Sequence, residues 1–370
     1  MAERPIQFNS VACSTGQHRE MLDQAIASLG IRVDHDLKLM TAGQTLTAFT
    51  SRALTALGEM IDHVLPDLVI VQGDTTTTFT AALAAFYRGV PVAHVEAGLR
   101  TGDLQQPFPE EANRILTDQL SSYCFAPTQK NRENLLKEGV PSDRVFVTGN
   151  TGIDALLMVW NRASRIDPAS WNGSWGHAKD AIVGNRKPII LVTAHRRESF
   201  GEPLRSVYTA LKSLATRHPE WDFVYPVHLN PNVRGPCYDM LLGIQNVFLI
   251  EPLEYEPFVY LLGRSRLILT DSGGIQEEAP SLGKPVLVLR EKTERREAVE
   301  IGTVVLVGTD PSRIRSKVEE IMGNQTVYDS FRKRPNPYGD GTAAEQILTI
   351  LERRLNSCQM VQPDNGDLVA

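Results

Sequence analysis

No stretch of this sequence is apolar for long enough to cross a membrane. The longest uninterrupted runs, such as Ala81–Tyr87, fall far short of the ~20 residues a spanning helix needs. The opening MAERPIQFNS has no apolar core of signal-peptide length, so neither secretion nor membrane insertion is expected. Cysteine is scarce. Cys13, Cys124, Cys237 and Cys358 lie far apart and form no CxxC pair, which argues against a disulfide frame or a zinc knuckle and for reduced thiols in the cytoplasm. There is no surplus of basic charge either. Lys and Arg total 38 against 44 Asp and Glu, a net charge of −6, and only Arg196–Arg197 and Arg332–Arg334 form short basic clusters. That is not the basic stripe of a nucleic-acid binder. HExxH and GxGxxG are both absent. Gly283–Lys284 lacks the upstream glycine and the following Ser/Thr of a phosphate loop, because Pro285 comes next. Asp34-His35-Asp36 is a DxD string, but no strand precedes it, so it does not support a metal-dependent glycosyltransferase. No internal repeat is present.

What is there is an ordinary globular chain. With 370 residues, 42% of them hydrophobic and 22% charged, it has enough apolar material for about two domains of ~100–200 residues each. Short apolar runs alternate with amphipathic stretches. Strands are expected at Leu68–Gln72, Val90–Val95, Val145–Thr148, Ile189–Thr193, Phe223–Val227, Val247–Ile250, Leu267–Thr270, Val286–Leu289 and Val304–Val307. Several are near-continuous β-branched runs, as in strands buried on both faces of a parallel sheet. Helical periodicity falls between them, at Thr75–Arg88, Pro109–Leu120, Leu204–Arg217 and Ile275–Leu282. The alternation predicts an α/β fold with parallel sheets. Turn-rich WNGSWG (171–176) and VGNRKP (183–188) separate an amino-terminal Rossmann-like domain over 1–165 from a second over 185–340. A final helix is expected within 341–356 and a disordered tail over 357–370. The opening is weak. Its first plausible strand is Gln7–Ser14, and the first domain lacks its usual hydrophobic opening unit.

Candidate chemistry gathers where strands end. In open α/β sheets, ligands bind at the carboxyl ends of strands. Asp74 follows the strand of VQGDTTTT; an Asp/Thr helix cap is an equally good local explanation. Glu96 follows the strand of VAHVEAGLRTG, where partial desolvation suits a carboxylate to acid–base work; pairing with Arg100 is the alternative. Glu110 and Glu111 in PFPEEANR are good choices for a helix start. Yet Asp74, Glu96 and Glu110 together make three carboxylates on neighbouring loops, a costly cluster without a catalytic or cation-binding use. In TAHRRESFG, His195, Arg196 and Arg197 end a strand, and arginine forks match phosphate oxygens. The sharpest motif is LTDSGGIQEEAP, where Ser272, Gly273 and Gly274 open a helix and form an anion cradle. Glu278 lies on that helix, within reach of a ribose diol. His18, His63, His94 and His228 are scattered singly and read as structural or surface histidines.

Read in order, TGQHREMLDQ (15–24), QGDTTTT (72–78), HVEAGLRTGD (94–103), PFPEEANR (107–114), VTGNTGIDAL (147–156), TAHRRESFG (193–201), YPVHLNPNVR (225–234), TDSGGIQEEAPSLGKPVLVLR (270–290) and NPYGDG (336–341) resemble the non-hydrolysing UDP-N-acetylglucosamine 2-epimerase family. The resemblance implies a glycosyltransferase-B architecture, two Rossmann-like domains facing across a cleft with the last helix returning to the first. It implies reversible interconversion of UDP-GlcNAc and UDP-ManNAc. UDP is eliminated, a 2-acetamidoglucal stays bound, and UDP re-adds after reprotonation of C2. No cofactor, metal or nicotinamide, is required. By motif, Asp74, Glu96 and Glu110 become acid–base candidates, and His195 is expected near the diphosphate. Ser272, Gly273 and Gly274 hold phosphate, Glu278 the ribose and Phe258 the uracil region, and Arg295 contacts the nucleotide. A regulatory UDP-GlcNAc site would use Gln17, Arg52, Arg196 and His228. A cytoplasmic homodimer is implied, with no nucleic-acid or membrane partner.

The sequence departs from the family pattern at its start. Members open with a strand and a GTRPEAIK-like loop whose arginine and lysine reach the active site, and nothing of that kind precedes Thr15. At ~1.5–3 kcal/mol per large buried side chain, such a loss rivals a typical stability of ~5–15 kcal/mol. Poor stability or poor activity is therefore expected of the chain as written. An inactive nucleotide-sugar binder, a hydrolysing epimerase releasing ManNAc and a true glycosyltransferase of the same architecture are the rival readings. Arg296 replaces a frequent proline, from which only a local effect is expected.

Overall fold

The computed structural model describes all residues except 2, 3, 17–28, 42, 185 and 360–370. It divides into two compact units, one holding the described residues of 1–26, 30–154 and 341–370, the other holding 155–340. Each is α/β with an all-parallel main sheet, the class of the glycosyltransferase-B type.

In the first unit, β3 (Val69–Gln72), β4 (Val92–Val95), β5 (Tyr123–Ala126) and β6 (Val145–Val147) pair in sequence order. A separate parallel pair joins β1 (Cys13–Ser14) to β2 (His35–Asp36). β2 runs through the DxD string. Asp34 accepts the Ala12 amide at 2.9 Å and Asp36 the Lys38 amide at 3.2 Å, so these acids serve local backbone. The expected strand at Gln7–Ser14 contracts to two residues. Helices α1 (Leu46–Val64) and α2 (Thr76–Phe86) cover β3 through Phe49, Leu57, Ile61 and the alanines of α2. Helices α3 (Glu110–Leu120) and α4 (Gln129–Lys137) follow β4 and β5, and α5 (Thr151–Ala163) follows β6. The last described helix, Ala343–Gln359, sets Ile347 and Leu351 against Ala93, Val95 and Phe125. Asp154 accepts the amides of Ala343 and Ala344 at that helix's start. The helix runs on through 357–359, where a disordered tail was expected; 360–370 lie outside the described residues.

The second unit carries β7 (Ile189–Thr193), β8 (Asp222–Pro226), β9 (Val247–Ile250), β10 (Leu267–Thr270), β11 (Val286–Val288) and β12 (Val304–Leu306) in the order β12-β11-β10-β7-β8-β9. β7, β10 and β11 have no exposed residue, which explains their Ile/Leu/Val runs, closed in β7 and β10 by a buried threonine. The core is built from that sheet with α6 (Glu202–Arg217) and α7 (Pro231–Leu241). Strand order reverses between β7 and β10, a topological switch point. A ligand crevice belongs at the carboxyl ends of those two strands, and these ends carry the His195 and Ser272 loops.

Candidate active site

In the first unit the chain turns sharply after β3. Gly73 takes φ +75°, a conformation that favours glycine. A Cβ there would meet Glu96 Oε2 at 3.4 Å, so the Glu96 carboxylate lies over the turn carrying Asp74. Glu96 itself has φ +70°, a rare conformation for a non-glycine residue. The cap of α2 is Thr75, whose hydroxyl accepts the Thr78 amide at 3.3 Å. Thr78 Oγ1 donates to the Gln72 carbonyl at 2.7 Å. The threonines thus do the capping, and Asp74 is left for another purpose.

Helix α3 supplies that purpose. Asn113 Nδ2 donates to the Asp74 carbonyl at 2.9 Å, and Arg114 Nη2 stands 3.4 Å from Asp74 Oδ2. Arg114 Nε is 3.7 Å from Glu111 Oε2. Glu111 is fully buried, and its other oxygen accepts the amides of Thr101 and Gly102 at 3.0 Å each. Glu111, not selected as a catalytic candidate from sequence, is therefore the anchor of the 101–102 loop. Among the described residues, Glu110 Oε2, Glu111 Oε2, Arg114 Nε and Thr117 Oγ1 are buried without a protein hydrogen-bond partner. Folded proteins satisfy nearly all such atoms, so four on one short helix mark a place built for something besides stability.

Arg100 binds Asp118 at 2.6 Å and Glu138 through two bonds of 2.7 and 2.6 Å. Burial alone would raise the Asp118 pKa; the hydrogen bond and charge of His94, together with Arg100, hold it below the usual carboxylate value.

In the second unit Asp271, fully buried after β10, accepts the amides of His195 and Arg196 through Oδ2 at 2.8 Å each. Tyr225 Oη donates to the Ala194 carbonyl at 2.5 Å. The His195 ring stacks on His228, with centroids 5.4 Å apart and planes 12° apart. Burial lowers the His195 pKa; Asp271 opposes this, while His228 and Arg196 reinforce it. Sequence reading assigned His195 and His228 to different sites, and the fold makes them neighbours.

The helix α9 (Gly273–Ser281) begins as expected after Ser272. The Ser272 side chain makes no capping bond. A Cβ on Gly273 would lie 2.9 Å from the Arg295 guanidinium carbon, so glycine lets Arg295 lie against the first turn. Glu277 holds Arg295 Nε at 2.8 Å, and Glu294 binds its Nη1. Burial, helped by Glu277, pushes the Glu278 pKa up to about 7. Phe258 is half-buried in the first turn of α8 (Tyr255–Arg264). Arg296 opens α10 (Arg296–Ile301), a first-turn position where proline is also well suited.

The remaining expected residues fall as follows. Arg196 lies 3.9 Å from both Glu198 and Glu294. Arg52 is engaged in its own unit by the Leu39 carbonyl at 3.2 Å, by Thr41 and by Gln44. Gln17 lies outside the described residues. Sequence reasoning missed Arg114, Asn113, Asp118 and Asp271. Asp271 had a signal, as the first residue after β10 in TDSGG; the other three had only helical spacing from Glu110.

Comparison with known proteins agrees with this chemistry. A family model described as UDP-N-acetylglucosamine 2-epimerase matches residues 1–352. UDP-N-acetylglucosamine 2-epimerase of Yersinia pestis is 52% identical over 345 residues, covering 93% of this chain and 91% of that protein. The crystal structure of UDP-GlcNAc 2-epimerase from Neisseria meningitidis bound to UDP-GlcNAc is similar at 48% identity and TM-score 0.82, with 93% and 92% of the two chains covered. A putative UDP-N-acetylglucosamine 2-epimerase from Listeria monocytogenes reaches TM-score 0.88 at 39% identity, covering 100% of this chain and 93% of that one. A carboxylate-lined turn, an amide cradle at a switch point and these likenesses lead to one conclusion: the chain belongs to the UDP-N-acetylglucosamine 2-epimerase family and is an enzyme of that kind.

Proposed function

We propose that this chain interconverts UDP-GlcNAc and UDP-ManNAc without hydrolysis. A carboxylate of the first unit takes the C2 proton, the electron pair forms the C1–C2 double bond, and the C1–O bond breaks to release UDP. The resulting 2-acetamidoglucal stays bound. A proton then adds to C2 from the other face and UDP re-adds at C1. Asp74 is the proposed base, with Glu96 and Glu110 tuning it or acting in reverse. Ser272, the amides of Gly273 and Gly274, and Arg295 receive the diphosphate, Glu278 the ribose and Phe258 the uracil. His195, its backbone held by Asp271, lies beside the departing phosphate as a hydrogen-bond donor. Arg52, Arg196 and His228 would serve a second, regulatory UDP-GlcNAc site, and the working form would be a cytoplasmic homodimer.

The observation that supports this reading is the approach of Glu96 and Arg114 to the turn that carries Asp74, with buried polar atoms of Glu110, Glu111, Arg114 and Thr117 left unsatisfied on α3 among the described residues. A binding protein has no need of it. Incubation with UDP-GlcNAc in deuterated water, followed by proton NMR, tests it. Deuterium at C2 together with UDP-ManNAc is expected. Accumulation of free ManNAc, or UDP binding without exchange, would refute it.

The raised pKa of Glu278 adds a pH signature. Ribose hydroxyls donate to an ionised carboxylate, so binding favours the deprotonated form. UDP-GlcNAc has no group of its own that titrates near neutrality. Its affinity should therefore weaken as pH falls through about 7 and become nearly flat in Glu278→Gln. Calorimetric titrations across that range check both. Affinity in the wild type that is unchanged below neutrality would remove Glu278 from the ribose site.

A further inference from the structure

His94 lies within β4 with its side chain fully buried. Each ring nitrogen faces an oxygen. Nδ1 is 2.6 Å from Asp118 Oδ1, and Nε2 is 2.8 Å from the Gly73 carbonyl. A carbonyl only accepts, so Nε2 carries a hydrogen and donates it to Gly73. The other side of the ring is fixed just as firmly. Asp118 also accepts the Gly98 amide at 3.2 Å and Arg100 at 2.6 Å, and Arg100 is itself held by Glu138. Gly98 packs closely on the next helix, since a Cβ there would lie 2.3 Å from the Asn131 carbonyl oxygen.

The Gly73 carbonyl is the point of interest. It belongs to the peptide that carries Asp74. The Gly73 amide donates to the Val95 carbonyl at 3.0 Å, and the next carbonyl, that of Asp74, accepts from Asn113 at 2.9 Å. The peptide between β3 and α2 is thus held at three successive points, with His94 on its carbonyl side. Asp118 and Asn113 both come from α3, the helix that also provides Glu110 and Arg114. One helix therefore sets the backbone beneath Asp74 and the charges around its carboxylate. A buried histidine with both nitrogens committed would be an expensive way to fill core volume, because each polar atom must be matched.

We infer that His94, braced by Asp118 and Arg100, is a positioning residue that sets the Asp74 carboxylate through its bond to the Gly73 carbonyl. This rests on the reading of Asp74 as the base. His94 touches no reacting atom, so its removal should cost turnover and leave substrate affinity alone.

The test compares two isosteres. His94→Gln can place an amide donor where Nε2 lies and keep the bond to Gly73. His94→Asn places its donor near Nδ1, keeps Asp118 and loses Gly73. We expect His94→Asn to lose about 10²-fold in kcat, the scale of a misplaced catalytic group, with KM within about twofold. His94→Gln should retain most of the wild-type kcat. Equal losses in the two variants, a loss in KM alone, or wild-type kcat in His94→Asn would each overturn the inference. Should His94→Asn not fold, His94→Gln decides alone: folded and active supports it, folded and a hundredfold slower refutes it. Asp74→Asn is assayed beside them. If it exchanges C2 hydrogen at the wild-type rate, the base has been misassigned and the inference falls with it. If it is silent, the His94 variants decide the matter separately.

Discussion

Asp74→Asn should slow C2 deuterium exchange into UDP-GlcNAc by about 10³-fold, within the range expected when a general base is removed, while the melting temperature stays near that of the wild type. The geometry separates the two effects. The fold uses Asp74 through its carbonyl, which Asn113 holds, and a substitution leaves that bond in place. The side chain is one-third exposed and meets Arg114 at 3.4 Å. An asparagine oxygen can still face Arg114, but it cannot accept the C2 proton. Glu96→Gln and Glu110→Gln are expected to do less, as the carboxylates assigned to tuning the base or to the reverse step. Wild-type exchange in Asp74→Asn would sink the assignment. Exchange lost only in Glu96→Gln would move the base to the carboxylate that lies over Gly73.

The sequence is most readable where a short apolar run is bracketed by polar residues. β7, β9 and β10 match their expected bounds residue for residue, while β4 and β11, also buried throughout, are shorter than expected. β5 was missed. Tyr123-Cys124-Phe125-Ala126 has no β-branched residue, is only four residues long and follows α3 after only two serines, so its two aromatics were not enough to set it apart from the preceding helix. β2 was missed because its two polar residues pair only with another two-residue strand. The site divides in the same way. Asp74, Glu96, His195 and Ser272 stand at strand ends, where topology alone singles them out. His94, Asp118 and Arg114 act through contacts across 20 to 40 positions of sequence, and one chain carries no sign of such distances. A lone histidine in a strand reads as core until the carbonyl it bonds is known to precede Asp74.

Arg114 should show the largest combined loss. It is almost fully buried between Asp74 and Glu111, both ion-paired to it at 3.4 and 3.7 Å. In Arg114→Met the Glu111 carboxylate stays in the interior without a counter-charge, and breaking a buried pair from one side costs about 3–5 kcal/mol. Both stability and exchange should therefore collapse. The double variant Arg114→Met/Glu111→Gln separates the causes. It leaves no uncompensated charge at the Glu111 position, and the glutamine oxygen can still accept the amides of Thr101 and Gly102. Most of the lost stability should return. Exchange should not, because Asp74 still faces a methionine where its cation stood. A double variant that melts like the wild type and remains silent assigns Arg114 to the reaction. One that recovers exchange along with stability would show that the arginine only holds the helix in place, and that Asp74 is oriented by its backbone alone.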